Sequence, residues 1–114
     1  MEDCIFCRIA QKQIPSTCVY EDDEVYAFKD LNPQAPVHVL IIPRQHVRDV
    51  AALEEQHDAL AGKLLRVAAH IARELHIDET GYRLVANVGP HAGQSVLHLH
   101  IHLLGGRQMT WPPG

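Results

Sequence analysis

Apolar residues recur along the chain with two different periods, and the changes of period mark out its elements. Ile5, Phe6, Ile9 and Ala10 fall at helical spacing ahead of the turn signal Pro15-Ser16, which predicts a short helix that packs one face. Thr17 to Glu21 and Val25 to Lys29 are short runs with aromatic and β-branched residues on either side of the acidic turn Glu21-Asp22-Asp23-Glu24, the pattern of a β-hairpin. Asp30 to Pro36 is a loop punctuated by Asn32, Pro33 and Pro36, and the apolar run Val37 to Ile42, stopped by Pro43, is a third strand. Between Glu54 and His76, Leu60, Leu64, Val67, Ile71 and Leu75 repeat every three or four residues, with Glu54, Glu55 and Asp58 early, where acids suit a helix dipole. This is the main helix. Tyr82 to Val88 alternates as a fourth strand after the breaker Gly81, and Gly89-Pro90 opens a loop that runs to Gly93. A fifth strand spans Gln94 to Leu104 and ends at Gly105-Gly106. The remainder, Arg107 to Gly114, is too short and proline-rich for an element of its own.

The fifth strand concentrates the chemistry. Side chains alternate across a strand, so Gln94, Val96, His98, His100, His102 and Leu104 share one face while Ser95, Leu97, Leu99, Ile101 and Leu103 share the other. The second face is almost wholly apolar and calls for a partner, which the stripe of the main helix supplies. Burial then fixes the register and sets the three histidines in a row, with successive Cα atoms about 6.5 to 7 Å apart. Neutral imidazoles suit a metal, and they also suit nucleophilic attack on phosphorus by one ring nitrogen while its neighbours bind the oxygens. Spacing leaves both chemistries open. Asn87 and the segment Ala92-Gly93-Gln94-Ser95 bring amides, a hydroxyl and free backbone N–H groups to the same strand end, a set suited to an oxyanion.

Composition narrows the partners. At 114 residues, 46% hydrophobic and 21% charged, the chain has the length and make-up of one packed domain spanning 1–114. A formal charge of −4, with no basic run, argues against polymeric nucleic acid as a partner. Apolar stretches such as Val39 to Ile42 fall far short of the roughly 20 residues that cross a bilayer, so no membrane is expected. The opening Met1-Glu2-Asp3 does not read as a secretory signal, so the expected location is cytoplasmic. In a reducing compartment Cys4-x-x-Cys7 suggests metal or redox chemistry ahead of a disulfide. Cys18, on a strand, reads as a packing residue, and His57, His70, His76 and His91 read as solvated surface.

The stretch Gly93-Gln94-Ser95-Val96-Leu97-His98-Leu99-His100-Ile101-His102-Leu103-Leu104 resembles the signature of the histidine triad (HIT) superfamily, and specifically its Hint branch of nucleoside phosphoramidases. The resemblance extends to Ile5-Phe6, Ile14-Pro15, Asp30, the Gln34-Ala35-Pro36-Val37-His38 loop, Ile42-Pro43, Gly81-Tyr82-Arg83, Asn87, Gly105-Gly106-Arg107-Gln108-Met109 and Trp111-Pro112-Pro113-Gly114. It implies an α+β half-barrel with a five-stranded antiparallel sheet, one long helix and a short N-terminal helix, paired as a homodimer whose sheets join. It implies a purine nucleotide substrate and hydrolysis of a P–N bond through a nucleotidyl-histidine intermediate on His100. His102 is then expected to contact phosphate oxygens, His98 to help orient the row and His38 to assist proton movement. Asp30 is expected to take the ribose hydroxyls, which suits a carboxylate able to accept two hydrogen bonds. By the same resemblance Asn87, Gly93, Gln94, Ser95 and Val96 are expected to line the phosphate and leaving group, and Ile5, Phe6, Ile9, Phe28 and Leu31 to form an apolar slot for the purine. Trp111, in a tail of residues 105–114, is expected to approach the partner subunit's site.

Cys4-x-x-Cys7 resembles bacterial Hint members, in which the pair and two histidines, here His46 and His98, bind a structural zinc away from the reacting phosphate. The resemblance implies no catalytic metal and no organic cofactor. A redox dithiol or two thiols packed as small apolar residues are the competing readings of the pair. Two further functions compete with the phosphoramidase: a dinucleoside polyphosphate hydrolase, as in the Fhit branch, and a nucleotide-binding adaptor with vestigial catalysis.

Overall fold

The computed structural model describes residues 3–114. Its first element, α1 (Ile5–Ala10), starts at Cys4, whose sulfur accepts the N–H of Cys7 at 3.4 Å and so serves as the N-cap. A helix of six residues has little stability of its own and is held by what it buries, here Phe6, Cys7, Ile9 and Ala10. The strands are β1 (Cys18–Glu21), β2 (Val25–Lys29), β3 (Val37–Pro43), β4 (Tyr82–Val85) and β5 (Ile101–Gly105). They form one antiparallel sheet in the order β1-β2-β3-β5-β4. The long helix α2 (Asp58–Glu74) crosses between β3 and β4 in sequence.

Alternation along the strands makes two cores, one on each side of the sheet. Val25, Ala27, Val39, Ile41, Leu99, Ile101 and Leu103 face α2 and its buried stripe Leu64, Val67, Ala68, Ile71 and Ala72. Tyr26, Phe28, Leu40 and Ile42 point the other way and are covered by Phe6, Ile9 and Ala10 of α1. The hairpin, β3, the α2 stripe and the α+β class all agree with the sequence pattern. No helix among the described residues is long and apolar enough to cross a membrane.

Five expectations need correction. The fifth strand does not begin at Gln94: ladder pairing starts at Ile101, because the side-chain amide of Gln94 diverts the preceding segment. Gln94 accepts the N–H of Gly89 at 2.9 Å and donates to the carbonyls of Arg48 and Val96 at 2.9 and 3.2 Å, while Leu99 N–H donates to Val47 O at 2.6 Å. Leu97 consequently lies outside the core, 60% exposed. With β5 short, β4 runs out of partner after the pair Val85–His102 and ends there, before Val88. The main helix starts at Asp58, preceded by a 3₁₀ turn (Glu55–His57) in which the Glu54 N–H donates to Nδ1 of His57 at 2.9 Å. His57 is therefore buried, not solvated. Cys18 is exposed on β1, an edge of the sheet, with its thiol 3.5 Å from a Glu21 carboxylate oxygen.

Candidate active site and metal group

On the α1 side of the sheet, His38 of β3 stands opposite Leu104 of β5, and His102 stands opposite Leu40. The two imidazoles are thus diagonal neighbours on one face, within reach across the pleat. His100 precedes the ladder by one residue and extends the row, its ring centroid 5.1 Å from that of His102. His98 continues it inward and is fully buried.

Hydrogen bonds set the tautomer of each ring. A carbonyl only accepts, so Nδ1 of His100, 2.6 Å from the His98 carbonyl, carries a proton, and in the neutral ring Nε2 keeps the lone pair. Among the described residues that Nε2 has no partner, and no buried side-chain nitrogen or oxygen is without one, so Nε2 is where this largely buried ring meets solvent. A second chain starts at the backbone N–H of Gln34, which donates to Nδ1 of His38 at 3.0 Å. The His38 proton is then on Nε2 and points to Nδ1 of His102 at 2.9 Å, leaving His102 with an Nε2–H. The row presents one basic nitrogen and, beside it, one N–H donor. Burial lowers the pKa of His38, against the pull of Asp30. Burial, then the neighbouring His100 and His38, push that of His102 down to about 4. Both rings are neutral near pH 7.

Cys4, Cys7, His46 and His98 form a second group, their donor atoms within 4.8 Å of one another. Nδ1 of His98 is 3.3 Å from the Cys4 sulfur and 3.5 Å from that of Cys7, and Nδ1 of His46 is 3.4 Å from the Cys7 sulfur. Sulfur and nitrogen donors at the corners of a zinc tetrahedron are separated by about 3.5 Å, so these residues fit the ion. His98 is prepared for it: Nε2 donates to the Pro43 carbonyl at 2.8 Å, which turns an unprotonated Nδ1 toward the sulfurs. Burial, then the adjacent Cys4, raise the Cys7 thiol, and a cation between the two sulfurs would favour the thiolate instead. The group is able to hold zinc, and it ties α1, the loop after β3 and the segment before β5 into one knot.

The remaining sequence-predicted residues are spread around these two groups. Asp30 is half-buried, one carboxylate oxygen accepting the Asn32 N–H at 2.8 Å and the other 3.5 Å from Nε2 of His38. Phe6, Ile9 and Phe28 belong to the α1 core, whereas Ile5 and Leu31 are exposed, Leu31 at 96%. Ile5, Ser95 and Val96 line a cleft of about 520 Å³ together with Cys4, His46 and Arg48. Gln94 joins its own loop to the Arg48 carbonyl through its side chain, Gly93 ends the 3₁₀ turn with φ of +82°, and Asn87 lies just beyond β4. Trp111 is 82% exposed, 5.9 Å from the Arg83 guanidinium, and the rest of the tail is tied by Arg83 to Thr110 O and by Arg107 to Gln34 O. Two participants were missed from the sequence, the Gln34 N–H and the Pro43 carbonyl. Both act through the backbone and leave no side-chain signal.

Comparison with known proteins places relatives around this chain. A family model described as HIT domain matches residues 11–109. A protein named "14 kDa zinc-binding protein" from Brassica juncea is 53% identical over 116 residues, covering 98% of this chain and 100% of the relative. One named "Adenylylsulfatase HINT1" from Arabidopsis thaliana is 51% identical over 114 residues, covering 96% of this chain and 76% of the relative. A solved HIT family hydrolase from Legionella pneumophila Philadelphia 1 superposes with a TM-score of 0.97 at 49% identity, covering 98% of this chain and 100% of that one.

Proposed function

This chain belongs to the HIT domain family, in its Hint-type branch, and from that premise we propose that it hydrolyses the P–N bond of purine nucleoside phosphoramidates through a nucleotidyl intermediate on His100. The observation that carries the reading is the 2.6 Å contact of His100 Nδ1 with the His98 carbonyl, because it supports a lone pair on Nε2, the solvent-facing nitrogen. In the first step Nε2 bonds to the α-phosphorus, the P–N bond breaks and the amine leaves with a proton taken up from solvent. The Nδ1–H, already donating to a carbonyl, spreads the charge that builds on the ring. The His102 Nε2–H, oriented through His38, donates to a non-bridging oxygen. In the second step water bonds to phosphorus and gives up a proton to solvent, the P–Nε2 bond breaks with its electron pair returning to Nε2, and the nucleoside monophosphate is released.

The same reading gives Asp30 the ribose hydroxyls and the edges of Ile5, Phe6, Ile9, Phe28 and Leu31 the purine. Asn87, Gly93, Ser95 and Val96 surround the phosphate, with Gln94 shaping their loop. Zinc on Cys4, Cys7, His46 and His98 supplies a structural cross-link. The homodimer belongs to the reading too: β4 is an edge of the sheet, free to pair with a second copy, with Trp111 on the tail that reaches toward the partner.

The test is to mix the protein with an adenosine phosphoramidate, quench early and look by mass spectrometry for nucleotide on His100. Turnover that survives His100→Ala rejects the proposal. The relative named adenylylsulfatase favours a second substrate, adenylyl sulfate, which would pass through the same intermediate with sulfate as leaving group. Comparing kcat/KM for the two substrates separates them.

A further inference from the structure

The proposed nucleophile sits where the sheet does not hold it. Ladder pairing of β5 begins at Ile101, so His98, Leu99 and His100 precede it, and the backbone of that stretch is fastened by Leu99 N–H to Val47 O. Besides the His102 ring, 5.1 Å away, two further ties reach His100, and both of these start from the metal group. One runs through His98: its ring lies between the two sulfurs and the Pro43 carbonyl, and its own carbonyl takes the Nδ1–H of His100. The other runs through α1, where Cys4 and Cys7 flank Phe6. The Phe6 ring meets that of His100 edge-on, centroids 5.1 Å apart and planes at 88°, and meets His98 at 6.0 Å. A helix this short keeps Phe6 in place only as well as its ends are anchored.

We propose that the Cys4–Cys7–His46–His98 group, with zinc in it, aims His100. By fixing the His98 carbonyl on one side and the Phe6 ring on the other, it selects the tautomer and rotamer in which Nε2 faces solvent. His98 is then a positioning residue whose ring serves the metal and whose backbone serves the nucleophile. The inference rests on His100 being that nucleophile, but its first readout does not.

The experiment uses the full chain with isotope-labelled histidine. Proton–nitrogen correlation spectra of His100, far-ultraviolet circular dichroism, and kcat and KM on an adenosine phosphoramidate are recorded before and after a chelator removes zinc. The loaded protein is expected to show the Nδ1–H tautomer alone. The stripped protein is expected to stay folded, to show mixed tautomers, and to lose about tenfold in kcat with little change in KM, the scale on which outer-sphere support of a site acts. Cys4→Ala should behave as the stripped protein, and Cys4→His, which keeps four donors, should recover both signals with zinc. A folded, zinc-free protein with an unchanged tautomer and kcat overturns the proposal. Complete unfolding on zinc removal also overturns it, by making the metal a condition of folding and not of aim. A tautomer that responds to zinc in a protein without phosphoramidase turnover supports the aiming and overturns the reaction proposed above.

Discussion

Nε2 of His38 lies 2.9 Å from Nδ1 of His102, joining β3 to β5 through two neutral imidazoles. Both pKa values are lowered, so both rings take up a proton in the unfolded chain before they do so in the native one. The His102 value falls from 6.5 to about 4, chiefly by burial. The stability contributed by these neutral rings is fully present above about pH 6.5 and is lost as the pH falls toward 4. Urea unfolding across that window should show a falling midpoint, and His102→Gln should flatten the decline by about one proton. A slope identical to that of the parent protein would contradict the burial of a neutral pair.

Asp22 organises the turn of the hairpin. One carboxylate oxygen accepts the N–H groups of Glu24 and Val25, both at 2.8 Å, and the other meets the Tyr20 hydroxyl at 2.6 Å and the Lys63 ammonium of α2 at 3.0 Å. Burial acts to raise its pKa, but these donors outweigh it and hold the carboxyl well below the usual carboxylate range. Its contribution is thus present at neutral pH and is lost only in strong acid. Asp22→Ala should cost about 2 to 3 kcal/mol in urea unfolding at neutral pH, since it strands several donors at once. Asp22→Asn, which keeps an acceptor for the two amides, should cost less.

The parts of this fold legible in the sequence are those set by local periodicity. Leu64, Val67 and Ile71 announce the α2 stripe, and Val25 to Lys29 with Val37 to Ile42 announce β2 and β3, because each element buries one continuous set of its own residues. The histidine row was legible for the same reason, as alternation within one segment. The start of β5 was not, because the alternation runs unbroken from Gln94 to Leu104 while the cause of the break is the contact of Gln94 with Gly89 and with Arg48, far away in sequence. The burial of His57 has a comparable origin, its Nδ1 serving the Glu54 N–H at the start of a turn that periodicity reads as helix.

Gly105, at the end of β5, is required by packing and not by an unusual backbone angle. A Cβ there would lie 2.6 Å from Cδ1 and 3.3 Å from Cβ of Ile77, and 3.4 Å from Cβ of Tyr82. The nearest atom can rotate away, but the Ile77 and Tyr82 Cβ atoms are fixed to the backbone. Gly105→Ala should therefore destabilise by about 1 to 3 kcal/mol, the range of overpacking, and the double substitution with Ile77→Val should recover part of it. Thermal unfolding of the three proteins decides the matter.

Leu97 and Leu99 test where the strand begins. If pairing ran from Gln94, both would face α2 and their truncation would cost alike. In the structure Leu99 is 3% exposed and belongs to the α2 core, while Leu97 is 60% exposed and lines the cleft beside Ser95 and Val96. Leu99→Ala should cost about 2 to 5 kcal/mol, the loss expected for a buried leucine, and Leu97→Ala no more than about 0.5 kcal/mol, as for a surface position. Because Leu97 shares the cleft with Ser95 and Val96, which the proposed function sets around the phosphate, its truncation should raise KM while leaving the unfolding midpoint where it was. Equal destabilisation by the two truncations would restore a strand from Gln94 and place His100 inside the ladder, where the sheet alone would hold it.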